Sequence, residues 1–297
     1  MASETSKPRV TGRSRAAIAG IPVAFLAIWA AIYAVASILP AIPLVGGGTF
    51  GGQEFILAIA GILFGPIAGA VAATIGALIA SFIGPATAYF GLFTFYPHAI
   101  GALVAGLLMK NTPAARWIAL GIFAVALVAW PLLPWFSAIG GYVYAHGAYW
   151  PMYLTGLLAI WASPWAVRQI RTLDPKRVPL GVAVIGWASY MVNHVYISLG
   201  YSFLYPEGPA QWVVAFWSGI VPIQRILLTL VTTIVGAALV IGLYRAGIRF
   251  PAGTGSAREE TETPAALSIS MCPSGPKGCQ AFRPGRSWNR TYVRFRD

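Results

Sequence analysis

The sequence predicts an all-α, polytopic membrane helix bundle of about six to eight transmembrane segments, and three observations point there. Hydrophobic residues fill 58% of the 297 positions and charged residues only 9%, with a mean hydropathy of +0.71. A soluble domain carries far more charge on its surface. The charge is also segregated: between Ala16 and Val167 only Glu54, Lys110 and Arg116 are ionised. Finally, apolar runs recur along the chain, at about 16–39, 53–64, 66–84, 89–110, 115–138, 151–171, 179–202 and 211–246.

Residues 1–15 carry Lys7, Arg9, Arg13 and Arg15 and read as a basic cytoplasmic N-terminus. The apolar stretch that follows exceeds the roughly 7–15 residues of a signal-peptide core, so it is expected to be a retained first helix. In the second and third runs the motif FGP interrupts an otherwise continuous apolar stretch. Pro66 lacks an N–H and disfavours helical geometry at Gly65, which places a break between a short piece, 53–64, and a longer one, 66–84. The short piece spans ~18 Å at 1.5 Å per residue. It falls short of a bilayer core of ~30 Å and must be shielded by protein. Small residues repeat every four positions at Gly61, Gly65, Gly69, Ala73 and Ala77, and in the first helix at Ala27, Ala31 and at Ala30, Ala34. Such ridges let another backbone approach closely.

Basic residues mark the N-terminus, the Lys110/Arg116 loop, the Arg168–Arg177 loop and Arg245/Arg249. The positive-inside rule makes all four cytoplasmic, and the count closes only if residues 53–84 cross twice. The transmembrane domain is thus expected over 16–250, in the plasma membrane, with both termini cytoplasmic. Residues 251–297 are polar, rich in Pro, Gly, Ser and Arg, and read as a disordered cytoplasmic tail whose arginines suit contact with membrane lipid. Cys272 and Cys279 both lie there, without a CxxC pair or a neighbouring His, so neither a metal nor a cofactor is predicted.

Polar residues inside apolar segments are costly and mark function. Here they are Gln53 and Glu54, His98 in FTFYPHAIG, Asn193 and His194 in SYMVNHVYISLGY, and Gln224 and Arg225 in IVPIQRILL. With the predicted topology all fall in the outer half of the membrane. Aromatics including Phe95, Tyr96, Tyr190 and Tyr196 surround them and suit a planar ligand. Arg225 suits a ligand carrying a carboxylate or phosphate. Asn193 and His194 are adjacent, so they face different directions.

Enzyme signatures are absent: no GxSxG, HExxH or P-loop motif occurs. The net charge of +12 sits in loops and ends and not on a folded basic face, which excludes nucleic acid as a partner. Without an ATP-binding motif, uphill transport requires an ion gradient or a partner. Glu54 is the one carboxylate inside the apolar region before Asp174, which favours a partner.

Four stretches resemble the substrate-binding S component of energy-coupling factor (ECF) transporters: AAIYAVASILPAIPL, EFILAIAGILFGPIAGAVAATIGALIA, FYPHAIGALVAGLL and VPIQRILLTLVTTIVGAAL. The resemblance implies a small, water-soluble, vitamin-like nutrient captured from outside. It also implies a transmembrane coupling subunit and two cytoplasmic ATPases that energise import. Carried onto this chain, the gating loop is Leu44–Gly52, with Gly46, Gly47, Gly48, Thr49 and Phe50 at its centre. Glu54, His98, Asn193 and Arg225 supply the ligand shell, to which the reading of the polar and aromatic residues adds Tyr96, His194 and Gln224, and Ala30 and Ala34 meet the coupling subunit. Two alternatives from other classes stay open on the residues alone: a self-sufficient channel or ion-coupled carrier, and a lipid-acting integral membrane protein.

Overall fold

The structure, a computed structural model, describes residues 16–39, 42–43, 49–130, 142–204 and 220–248. The N-terminal segment 1–15, Leu44–Gly48 of the expected gating loop and the expected tail 251–297 lie outside them.

Eight α-helices run through the described residues, in register with the eight apolar runs. They are α1 (Val23–Ala36), α2 (Leu57–Phe64), α3 (Pro66–Ile83), α4 (Phe95–Met109), α5 (Pro113–Ala129), α6 (Tyr142–Arg171), α7 (Val178–Leu204) and α8 (Ile220–Arg245). Two short antiparallel pairings are the β-structure among the described residues, Ala17–Ile18 with Ile21–Pro22 and Ile42–Pro43 with Thr49–Phe50. Four segments are long and apolar enough to cross a membrane: Pro66–Ile83, Gly91–Met109, Val178–Gly200 and Val221–Arg245.

The first helix is shorter than its apolar run. A hairpin turning at Ala19 and Gly20, both with positive φ, occupies residues 17–22. Pro22 then precedes the first helical residue and α1 begins at Val23. The fifth helix starts two residues before its run, at Pro113, and α6 nine residues before its run, at Tyr142, while residues 131–138 of the fifth run lie outside the described residues. At the start of α5 the Thr112 hydroxyl caps Ala115 N at 3.2 Å while Pro113 takes the first helical position.

The break between α2 and α3 falls at Gly65, whose φ of 79° and ψ of −175° no other residue adopts cheaply. The chain reverses there. A Cβ on Gly69 would lie 2.7 Å from Ala60 O, so α3 folds back along α2. The four-residue ridge is therefore split at the corner. Gly61 faces α4, where a Cβ would collide with the Ala102 carbonyl oxygen, while Gly76 of α3 lies against Tyr33 of α1.

A preceding 3₁₀ turn, Gly52–Ile56, feeds α2, and all eight residues of α2 are buried, from Leu57 at 0% to Phe64 at 5% exposure. The shielding expected of so short a piece is provided by α3, α4, α7 and α8, which all contact it. Antiparallel pairing orders the rest: Gly236 of α8 lies against Val182 of α7, and Gly181 of α7 against Ala166 of α6. The basic loops at 110–116 and 168–177 thereby share an end with Arg245. Lipid contact is the role of the outer faces, where Ile28, Val35, Ile67, Phe82, Val125 and Ile234 stand exposed.

Ala30 and Ala34 depart from expectation. At 2% and 3% exposure they pack inward, on the same side of α1 as Tyr33. The exposed members of the two alanine pairs are Ala27 and Ala31, beside Ile28 and Ile32. They share that buried side with Tyr33, whose side chain seats against Gly76 of α3.

Packing at the corner should be sharply intolerant of volume. A Cβ on Gly106 of α4 would strike Pro66 Cα at 2.5 Å, backbone that has no rotamer to change. Gly106→Ala is expected to destabilise by ~1–3 kcal/mol. Gly121→Ala, where a Cβ meets open space, should be neutral or stabilising by up to ~1 kcal/mol. Thermal unfolding of both variants in detergent checks the pair, and equal midpoints would contradict the corner packing.

Candidate functional site

Gln53 and Glu54 sit in the 3₁₀ turn immediately before α2, so the two polar side chains enter the bundle at the head of its most buried element. Glu54 is fully buried, and its Oε1 lies 2.6 Å from His98 Nε2 on α4. Tyr89, in the connection between α3 and α4, donates to the same Oε1 at 3.3 Å and lies 3.2 Å from His98 Nε2. On the far side of the imidazole, Nδ1 meets the Tyr33 hydroxyl at 2.6 Å. An ionised carboxylate only accepts, so Nε2 is the donor toward Glu54, and Nδ1 is the nitrogen that faces the Tyr33 hydroxyl. Four segments meet in this chain of groups: α1, the 3₁₀ turn, the α3–α4 connection and α4.

The 3₁₀ turn is held from the other side as well. Tyr190 of α7 donates to Glu54 O at 2.9 Å and contacts the Thr232 hydroxyl of α8, which itself bonds Phe55 O. Backbone carbonyls at the head of α2 thus anchor to α7 and α8 while the Glu54 side chain anchors to α4.

Arg225 on α8 is fully buried and donates through Nη1 to Asn193 Oδ1 of α7 at 3.1 Å. It lies within electrostatic reach of Glu54, Tyr89, Tyr153 and Tyr190. His194, next to Asn193, turns toward α6, where Nδ1 lies 3.0 Å from the Tyr153 hydroxyl. The adjacent pair therefore divides as the sequence implies, Asn193 toward α8 and His194 toward α6. Gln224 is buried beside Arg225.

Tyr96 stands apart from the other candidates. Its hydroxyl donates to Tyr196 O at 2.6 Å and its ring stacks on Phe90, so it closes the α4–α7 seam, away from the Glu54–His98 pair. Thr49 and Phe50 form a strand against Ile42–Pro43, one residue before the 3₁₀ turn opens.

Several buried polar atoms have no hydrogen-bond partner among the described residues: Gln53 Oε1, Glu54 Oε2, Asn193 Nδ2 and Gln224 Nε2. Asn193 is oriented by Arg225, which takes its oxygen and leaves the amide N–H groups. The set comprises two acceptors and two donors, and each such atom costs about 1–3 kcal/mol if left unsatisfied. Chemically, the arrangement suits a small polar molecule presenting both hydrogen-bond senses, with Arg225 supplying positive charge and tyrosine rings supplying flat apolar surface.

Sequence reasoning missed Tyr33 and Tyr153. Both hydroxyls bond a histidine, yet in AAIYAVA and WPMYLTG they look like unremarkable aromatics. A signal existed for the first: Tyr33 is the one hydroxyl-bearing residue within α1.

A family profile described as the ECF-type riboflavin transporter, S component, matches residues 21–174. That span contains Tyr33, Glu54, Tyr89, His98 and Tyr153, whereas Asn193, Gln224 and Arg225 lie beyond it. Among curated proteins, an uncharacterized protein of Methanocaldococcus jannaschii is 27% identical over 187 residues, covering 62% of this chain and 57% of that protein. The chain thus aligns with little more than half of that relative's length. No solved structure matches.

Removing the imidazole should expose how much the buried pair matters. His98→Ala leaves Glu54 charged and unaccompanied on that side, with an expected loss of ~3–5 kcal/mol. Combining it with Glu54→Gln should recover part of that loss, because the stranded charge is gone. Unfolding midpoints of both single variants and the double variant test this; strictly additive effects would disprove the coupling.

Proposed function

The chain belongs to the family of ECF-type riboflavin transporter S components, and from that premise we propose that it captures a riboflavin-like heteroaromatic ring in the polar cluster around Glu54 and Arg225. It is a multi-pass protein of the plasma membrane and the substrate-binding part of a transporter, not of an enzyme family. The single observation that supports the ligand reading is the mixed set of buried, unmatched polar atoms from the 3₁₀ turn, α7 and α8.

The dione edge of a flavin alternates carbonyl oxygens with an N–H. Asn193 Nδ2, Gln224 Nε2 and the Arg225 guanidinium suit the carbonyls, and Glu54 Oε2 and Gln53 Oε1 suit the N–H or the hydroxyls of the side chain. Tyr89, Tyr153 and Tyr190 offer rings for stacking. His98 and Tyr33 act one step behind, holding Glu54 in place, and His194 holds the Tyr153 hydroxyl. Tyr96 joins the wall and not the ligand shell. With every member of the cluster buried, entry requires a moving part, and the segment leading directly into Gln53 and Glu54, whose described ends Ile42–Pro43 and Thr49–Phe50 pair as strands, suits that role. Gly46, Gly47, Gly48, Thr49 and Phe50 belong to it.

Import then depends on a transmembrane coupling subunit and two ATPases, with the ligand taken from outside and both termini in the cytoplasm. Contact with the coupling subunit runs through the exposed alanines of α1, Ala27 and Ala31, since Ala30 and Ala34 are engaged internally.

Riboflavin fluorescence is quenched on burial among aromatics, so titration of the purified chain measures binding directly. Arg225→Ala should weaken binding by about 30-fold or more, the loss expected when one partner of a buried charged contact is truncated. Unaltered affinity would remove Arg225 from the ligand shell, and no saturable quenching in the unsubstituted chain would remove riboflavin as the ligand.

The partner surface has its own test. Ala27→Leu and Ala31→Leu should leave riboflavin titration unchanged while abolishing co-purification with the coupling subunit. Ala30→Leu and Ala34→Leu should instead lower the unfolding midpoint by ~1–3 kcal/mol of overpacking. Retained co-purification in both exposed-alanine variants would assign that face another role.

A further inference from the structure

On the opposite half of the molecule from the polar cluster, α5 and α6 build a surface that transport does not call upon. The guanidinium of Arg116, one turn into α5, lies over the ring of Trp161 on α6, 5.8 Å from its centroid. Trp117 meets the same indole edge to face at 5.4 Å. Trp165 and Arg168 continue the face along α6, one and two turns beyond Trp161, and both are exposed. Trp117, Trp161 and Trp165 are 63%, 49% and 40% exposed.

Charge accounting makes this surface unusual. Neither Arg116 nor Arg168 forms an ion pair among the described residues, whose only acids are Glu54, in the far cluster, and Asp174, which pairs with Arg177. Stacking on Trp161 fixes one face of the Arg116 guanidinium and leaves its N–H edge, the part that grips a phosphate in two-point fashion. The exposed indoles need surroundings that are apolar at one side and wet at the other, which is the headgroup level of a membrane. Lipid surrounds this chain by necessity.

We propose that the α5–α6 face is a binding site for one anionic phospholipid. Arg116 and Arg168 hold its phosphate and headgroup, and Trp117, Trp161 and Trp165 line the upper acyl chains. Two cations on one exposed face select against zwitterionic lipid, in which a choline would confront them. The face lies away from α1, so lipid can stay bound while α1 engages a protein partner.

Native mass spectrometry of the full chain, purified and exchanged into equal phosphatidylglycerol and phosphatidylcholine, tests the site. One phosphatidylglycerol should remain bound at collision energies that strip phosphatidylcholine, with a preference of about tenfold. In Arg116→Ala/Arg168→Ala the preference should fall to about equal retention. Arg116→Lys/Arg168→Lys should keep part of it, because charge persists while the stacked, forked geometry is lost. Should the double alanine variant fail to fold, Arg168→Gln alone, at an exposed position, must still reduce the preference by about threefold. The unsubstituted chain showing no preference between the two lipids would overturn the proposal and leave the face to a protein. So would full preference surviving in the alanine variant, or in Arg168→Gln.

Discussion

A carboxylate buried at the head of a buried helix sets the terms for the rest of this molecule. Glu54 is shut off from bulk solvent at 0% exposure, and the chain brings it partners from distant positions: His98, Tyr89 and, through the imidazole, Tyr33. The desolvation cost of such a pair is repaid only by close geometry and additional hydrogen bonds. That requirement ties α1 and α4 to the turn preceding α2. It also explains why the backbone of the same turn is clasped by Tyr190 and Thr232 from the opposite side. A loosely held Glu54 would leave a buried charge uncompensated.

The corner at Gly65 makes this arrangement possible. Because α2 ends after eight residues, its head lies inside the bundle and not at a membrane surface. Gly61, Gly69 and Gly106 remove the side chains that would hold the neighbouring backbones apart. Polar chemistry at one end of α2 and close glycine packing at the other are two requirements met by a single short segment.

Much of this was legible in the sequence. The apolar runs located all eight helices, and the Gly65-Pro66 pair located the reversal, because proline and glycine act through local backbone geometry. Polar residues inside apolar runs identified Glu54, His98, Asn193, Gln224 and Arg225, since burial of such groups is rare enough to be informative. Contact direction was not legible. Ala30 and Ala34 share their spacing with Ala27 and Ala31, and spacing does not decide which pair shares the buried side with Tyr33. Tyr96 and Tyr33 look alike in one dimension; one seals a helix seam and the other completes a buried relay. The start of α1 was misjudged for a related reason: hydropathy counts apolar residues without sensing the hairpin that Ala19 and Gly20 turn.

The short second helix also bears on how the protein is made. An insertion machinery that samples segments one by one recognises about 20 apolar residues, and α2 with its 3₁₀ turn offers 13 residues, Gly52–Phe64, with a glutamate near the front. Such a segment gains no foothold in lipid by itself. It must enter folded against α3 as a re-entrant arm, and its acidic head stays exposed to penalty until α4 arrives from the ribosome bearing His98. Biogenesis of this chain is therefore ordered by its own electrostatics, with the arm unfinished until a residue 44 positions downstream of Glu54 has been synthesised.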